Sequence, residues 1–161
     1  MKLILCGGGA GEQVKESYQL FAQSVGNGKV MYIPLAWNNG PYESCIDWFA
    51  GEMKPFGITD IDLITDAAQI TKERLRNIKG IFIGGGNTYK LLKMLKESVA
   101  YENLKEFALK KDTVIMGGSA GALIWGESID TCKDDGLGIK SICDVNLVGL
   151  EDTTGFGMLN G

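Results

Sequence analysis

The chain has 161 residues, 45% of them hydrophobic and 22% charged, with a formal net charge of −4. That balance excludes disorder over most of the length, and a chain of this size can bury a core without a disulfide or metal staple. Lys and Arg are scattered among the carboxylates with no polybasic run, which argues against nucleic acid or an anionic membrane as a partner.

In chain order, Lys2 to Cys6 reads as a buried strand, followed by Gly7, Gly8 and Gly9. Val14, Tyr18, Phe21, Ala22 and Val25 then recur at helical spacing. Lys29 to Ile33 is a second strand, ended by Pro34. Cys45, Ile46, Phe49 and Met53 mark another helix, which Pro55 and Gly57 stop. Ile58 to Ile64 alternates weakly as a third strand. Thr71 to Ile78 reads as a short helix with Thr71 as its cap. Gly80 to Ile83 is a continuous apolar run, the pattern of a strand buried on both faces. Asn87 to Lys96 and Tyr101 to Lys110 are helical, and Thr113 to Met116 is a further buried strand. Beyond Glu127, DTCKDDGLGIK reads as loop and SICDVNLVGL as one or two strands. This strand-helix alternation predicts an α/β protein with a mostly parallel sheet and helices on both faces.

No apolar run approaches the roughly 20 residues that span a bilayer. The N-terminal apolar run is too short for a signal peptide and lacks its cleavage site, so the expected location is cytoplasmic. Cys6, Cys45, Cys132 and Cys143 form no C-x-x-C pair and read as reduced thiols, with Cys6 in the core. There is no His in the sequence. That removes His-ligated zinc and any Ser-His or Cys-His pair within these residues. No cofactor is expected.

Glycine is abundant, 23 of 161 residues, close to twice the usual share of about 7%. Two clusters matter. Gly117-Gly118-Ser119-Ala120-Gly121 follows an apolar strand and precedes ALIWGE, matching G-x-S-x-G in the strand-turn-helix setting of a nucleophile elbow. Such a turn needs small neighbours so that the chains can pass, and it sets the hydroxyl beside free N–H groups at a helix start. The plainer alternative is Ser119 as a helix N-cap. The second cluster, Gly84-Gly85-Gly86-Asn87-Thr88, also joins a strand to a helix. Loops after neighbouring strands meet at one sheet edge, where backbone N–H groups of one can face a nucleophile on the other. Dinucleotide binding fits poorly: the G-x-G-x-x-G pattern would need glycine at 89 or 12, where Tyr89 and Glu12 stand.

IGGGNTYKLL, followed some thirty residues later by GGSAGA, resembles the peptidase E family of serine dipeptidases, relatives of cyanophycinase. The resemblance runs from the first strand to TTGFGMLNG. It implies a three-layer α/β/α sandwich related to class I glutamine amidotransferases, and a small peptide as substrate. It further implies Ser119 as nucleophile, Gly86 and Ala120 as backbone donors of an oxyanion hole, and Asp134 or its neighbour Asp135 as triad acid, Asp134 being preferred. An Asp pair beside Gly136 also suits a plain turn.

The family's catalytic His follows a Gly-aromatic-Gly turn, which GFGMLNG matches. It is expected one strand further on, roughly five to ten residues by strand length. Residues 1–161 therefore read as a single catalytic-type α/β domain, incomplete at its C-terminus. An edge left by a missing strand could pair with another copy, so a homo-oligomer is a further expectation. Within the chain, Lys133 as base would need desolvation that its polar loop does not offer. Cys132 as nucleophile meets the same missing base. Near the matched loop, Asp130 and Lys133 do not single out an acidic substrate. Trp37, Trp48 and Trp125 suit packing better than a substrate box. The contrasting reading is a non-catalytic remnant that keeps the fold and binds small molecules.

Overall fold

Five apolar runs form strands: β1 (Lys2–Cys6), β2 (Lys29–Ile33), β3 (Ile61–Leu63), β4 (Ile78–Ile83) and β5 (Val114–Gly118). They make one parallel sheet in the order β1-β5-β4-β2-β3. The helices between them are α1 (Lys15–Val25), α2 (Ser44–Met53), α3 (Lys72–Leu75), α4 (Thr88–Lys96) and α5 (Ala100–Ala108), with α6 (Ala120–Leu123) after β5. The structure, a computed structural model, describes residues 1–133 and 144–159.

Layering follows from strand order. The chain steps one way from β1 to β2 to β3, then back through β4 to β5. Right-handed crossovers therefore put α1 and α2 on one face and α3 to α5 on the other. Period-two alternation feeds both layers. Val30, Tyr32, Phe82, Val114 and Met116 pack with Tyr18, Phe21 and Phe49 of α1 and α2. Met31, Ile33, Ile81, Ile83 and Ile115 pack with Leu91, Leu92, Leu104 and Phe107 of α4 and α5. The result is the expected three-layer α/β/α sandwich. Among the described residues, no helix is long and apolar enough to cross a membrane.

Two boundaries differ from expectation for clear reasons. The helix at Thr71 ends by Leu75, because Ile78 already opens β4. Thr71 does cap it, its hydroxyl accepting from the Arg74 N–H at 3.2 Å. The third strand shrinks to Ile61–Leu63, while Ile58 is buried by packing outside the ladder.

No strand forms over residues 144–159; only an isolated antiparallel bridge joins Ser128 and Thr154. The segment is held by side chains of α4 and α5 instead. Lys93 Nζ donates to the Val148 carbonyl at 2.6 Å, and Lys96 Nζ to Asp152 Oδ2 at 2.7 Å. Tyr101 Oη donates to the Gly155 carbonyl at 2.7 Å, and Phe156 stacks on both Tyr101 and Trp125. Asn87 joins the two systems. Its Oδ1 accepts from the Lys90 N–H at 2.9 Å, capping α4, and its Nδ2 donates to the Val145 carbonyl at 2.9 Å. Asn87→Ala is expected to lower stability by about 1–2 kcal/mol, a cap plus one further hydrogen bond. A shift in the urea midpoint at unchanged slope would show it.

Candidate functional site

β4 and β5 are adjacent, so the loops that leave them meet at the carboxyl edge of the sheet. Ser119 sits at the tip of β5 with φ 50° and ψ −115°, one of two non-glycine residues with positive φ among those described. A helix N-cap normally has extended backbone and a side-chain oxygen that accepts from the first turn. Ser119 has neither, so capping does not account for it. Strain of this kind costs about 1–3 kcal/mol and persists only where the surroundings enforce it.

The surroundings do enforce it. The Ser119 N–H donates to the Cys6 carbonyl at 2.9 Å, tying the turn to the end of β1. The Ser119 carbonyl accepts from Ala122 and Leu123 N–H groups at 2.8 and 3.0 Å. Gly117 and Gly121 let the turn close on itself: a Cβ at Gly117 would lie 2.2 Å from the Gly121 oxygen.

The second glycine loop reaches the serine directly. A Cβ at Gly85 would lie 3.1 Å from the Ser119 Cβ and 3.8 Å from its Oγ. Gly86, at φ +140°, is pressed against the turn that follows β2, where a Cβ would meet the Ala36 oxygen at 2.0 Å. The neighbouring Asn87 N–H donates to that same oxygen at 2.8 Å. The Gly86 and Ala120 N–H groups have no acceptor among the described residues, and neither does the Ser119 hydroxyl. Uncommitted amide donors near a nucleophile can stabilise charge developing on a carbonyl oxygen. Because α6 has only four residues, individual N–H groups rather than a macrodipole would do this.

Several expectations need revision. Cys6 is not a core residue; it is partly exposed and lines a cavity of about 360 Å³ beside Ser119. Trp37 and Trp48 line the same cavity, whereas Trp125 is buried in packing as expected. Lys133 is half exposed and ion-paired with Asp130 at 2.5 Å, not the dry setting a catalytic lysine needs. Asp134 and Asp135 lie outside the described residues, as does Cys143. Among the described residues, no cluster of three His, Cys, Asp or Glu could hold a metal ion.

Asp144 carries no motif that marks it in the sequence. Its Oδ2 accepts from the Thr88 N–H at 2.7 Å and from the Thr88 hydroxyl at 2.5 Å. It thereby pins the start of α4 immediately after the glycine loop. Cys132 is buried in the same core cluster as Tyr89, and burial pushes its thiol pKa up. Burial also pushes Tyr89 up to about 12 and raises the Cys45 thiol. A raised thiol pKa means less thiolate at neutral pH. Cys45 and Cys132 are therefore expected to resist iodoacetamide at pH 8 in the folded protein and to react within minutes in urea. Peptide mass spectrometry of alkylated cysteines checks this.

The model of Peptidase family S51 matches residues 3–157. A Shewanella denitrificans protein named Peptidase E is 33% identical over 109 residues, covering 66% of this chain and 44% of that protein. A Drosophila melanogaster protein named as a probable alpha-aspartyl dipeptidase is 29% identical over 105 residues, covering 65% and 42%. The chain thus spans under half the length of these curated relatives. In fold, it resembles a candidate peptidase E protein from Listeria monocytogenes EGD-e, with TM-score 0.69 and 24% identity over 99% of this chain and 76% of that one. A peptidase from an acI-B1 actinobacterium superposes with TM-score 0.70 at 18% identity, over 98% and 64%.

Proposed function

From the premise that this chain belongs to peptidase family S51, we propose that it carries the nucleophile and the oxyanion-binding edge of a serine-type dipeptidase. Ser119 Oγ attacks the carbonyl carbon of a small peptide and gives up its proton to a base. The carbonyl oxygen, now negative, accepts from the Gly86 and Ala120 N–H groups. The C–N bond breaks, the amine leaves with a proton, and water then hydrolyses the Ser119 ester to free the acid and restore the hydroxyl. The observation that carries this reading is the backbone of Ser119, strained at φ 50° with Gly85 closed against its side chain.

Neither the proton acceptor nor the acid that orients it is among the described residues. No His occurs in the 161 residues, and Asp134, preferred over Asp135 as the acid, lies in the undescribed stretch. The apolar cavity beside Ser119 carries a second reading, a domain that binds small molecules in this cleft without turnover. The relatives' names suggest a dipeptide substrate, and an aspartyl one in the Drosophila case. Incubating the protein as its host makes it with a panel of dipeptides, and following free amino acids by mass spectrometry, separates the readings. Hydrolysis suppressed by a serine-directed reagent is the expected result; binding with no product from any dipeptide would favour the second reading.

A further inference from the structure

The cavity beside Ser119 is built for a particular kind of side chain. It lies on the α1 and α2 side of the sheet, lined by Tyr18, Tyr32, Trp37, Trp48, Phe82 and Met116, among others. None of its described lining residues is Lys, Arg, Asp or Glu. Glu52 accepts from the Gly11 N–H at 2.8 Å without lining the cavity. One cation touches a lining residue from outside: Lys90 Nζ donates to the Trp37 carbonyl at 2.6 Å and lies over the Tyr42 ring, without lining the cavity.

We infer that this cavity receives an apolar or aromatic substrate side chain and rejects a carboxylate, an inference that rests on Ser119 being the reacting group. A carboxylate entering it would lose its water with no cation among the described lining residues to replace it. An aromatic or branched apolar side chain instead loses only unfavourable hydration and gains contact with ring faces and edges. Trp48, 43% exposed, stands where it can be covered by a ligand, so binding should change its emission.

The test measures binding rather than turnover. The host-made protein carrying Ser119→Ala is titrated with L-phenylalaninamide and with the α-amide of L-aspartic acid, following tryptophan fluorescence. The phenylalanine amide is expected to bind at least tenfold more tightly. Ser44 also lines the cavity and is exposed, so Ser44→Arg introduces a cation there. It is expected to narrow or reverse the ratio, and Trp48→Ala to weaken the phenylalanine amide severalfold. Equal or tighter binding of the aspartic amide, or no response to either ligand, overturns the inference. A separate fluorophosphonate reaction on the unsubstituted protein keeps the two readings apart. Labelling of Ser119 with no amide binding removes only the cavity inference; amide binding with no labelling removes the nucleophile, and the cavity then stands as a ligand pocket and not as a substrate pocket.

Discussion

Replacing Ser119 with alanine is expected to lower dipeptide hydrolysis by the host-made protein about 10⁴- to 10⁶-fold. Removing the nucleophile of a serine hydrolase leaves only the residual rate that the oxyanion donors and binding supply, roughly 10³- to 10⁴-fold over water. The fold should be indifferent to the lost hydroxyl, which takes no partner among the described residues. Ser119→Gly sharpens the test. Glycine accepts φ 50° without the Cβ penalty, so this variant should be more stable by about 1 kcal/mol while equally inactive. Lower activity together with a higher urea midpoint is the signature of strain held for function. A structural serine would lose both together.

The second large effect is Gly121→Ala, which local propensity and tertiary packing predict with opposite signs. In an exposed helix, alanine is favoured over glycine by about 1 kcal/mol. Here a Cβ would lie 2.1 Å from the Ile83 oxygen and 2.7 Å from its carbonyl carbon, where α6 crosses the end of β4. Backbone cannot yield as a flexible side chain can. The substitution must push α6 off the sheet, and with it the Ser119 turn and the Gly84–Gly86 loop. A loss of about 3 kcal/mol or more is expected, at the upper end of overpacking costs, and activity should fall with it. Thermal or urea unfolding of the variant measures this, and a stabilised Gly121→Ala would mean that the crossing is looser than described.

The two glycine loops were legible because each sits on a single run of sequence: an apolar strand, then small residues, then a helix. β4 and β5 being neighbours, the loops meet, and the parallel register carries Gly85 to Ser119. The cavity was not legible, because its walls come from separate elements. Trp37 follows β2, Trp48 lies on α2, Tyr18 on α1 and Phe82 on β4, and nothing in local spacing brings them together. Cys6 shows the same limit from the other side. Its apolar run reads as core, yet its position at the strand end opens onto the cavity. The C-terminal stretch was misread as strand because Val145, Leu147, Val148 and Leu150 are apolar. In the fold, lysines of α4 and the ring of Tyr101 hold that stretch, and these contacts leave no hydrophobic periodicity in the segment itself.

What the account stands on is a reactive Ser119. The most direct measurement is to treat the host-made protein with a fluorophosphonate and digest it for mass spectrometry. One phosphonate adduct is expected, on Ser119, forming in proportion to loss of dipeptidase activity and absent from Ser119→Ala. An unmodified Ser119 in protein that hydrolyses dipeptides, or an adduct on another residue that tracks the activity, would contradict it.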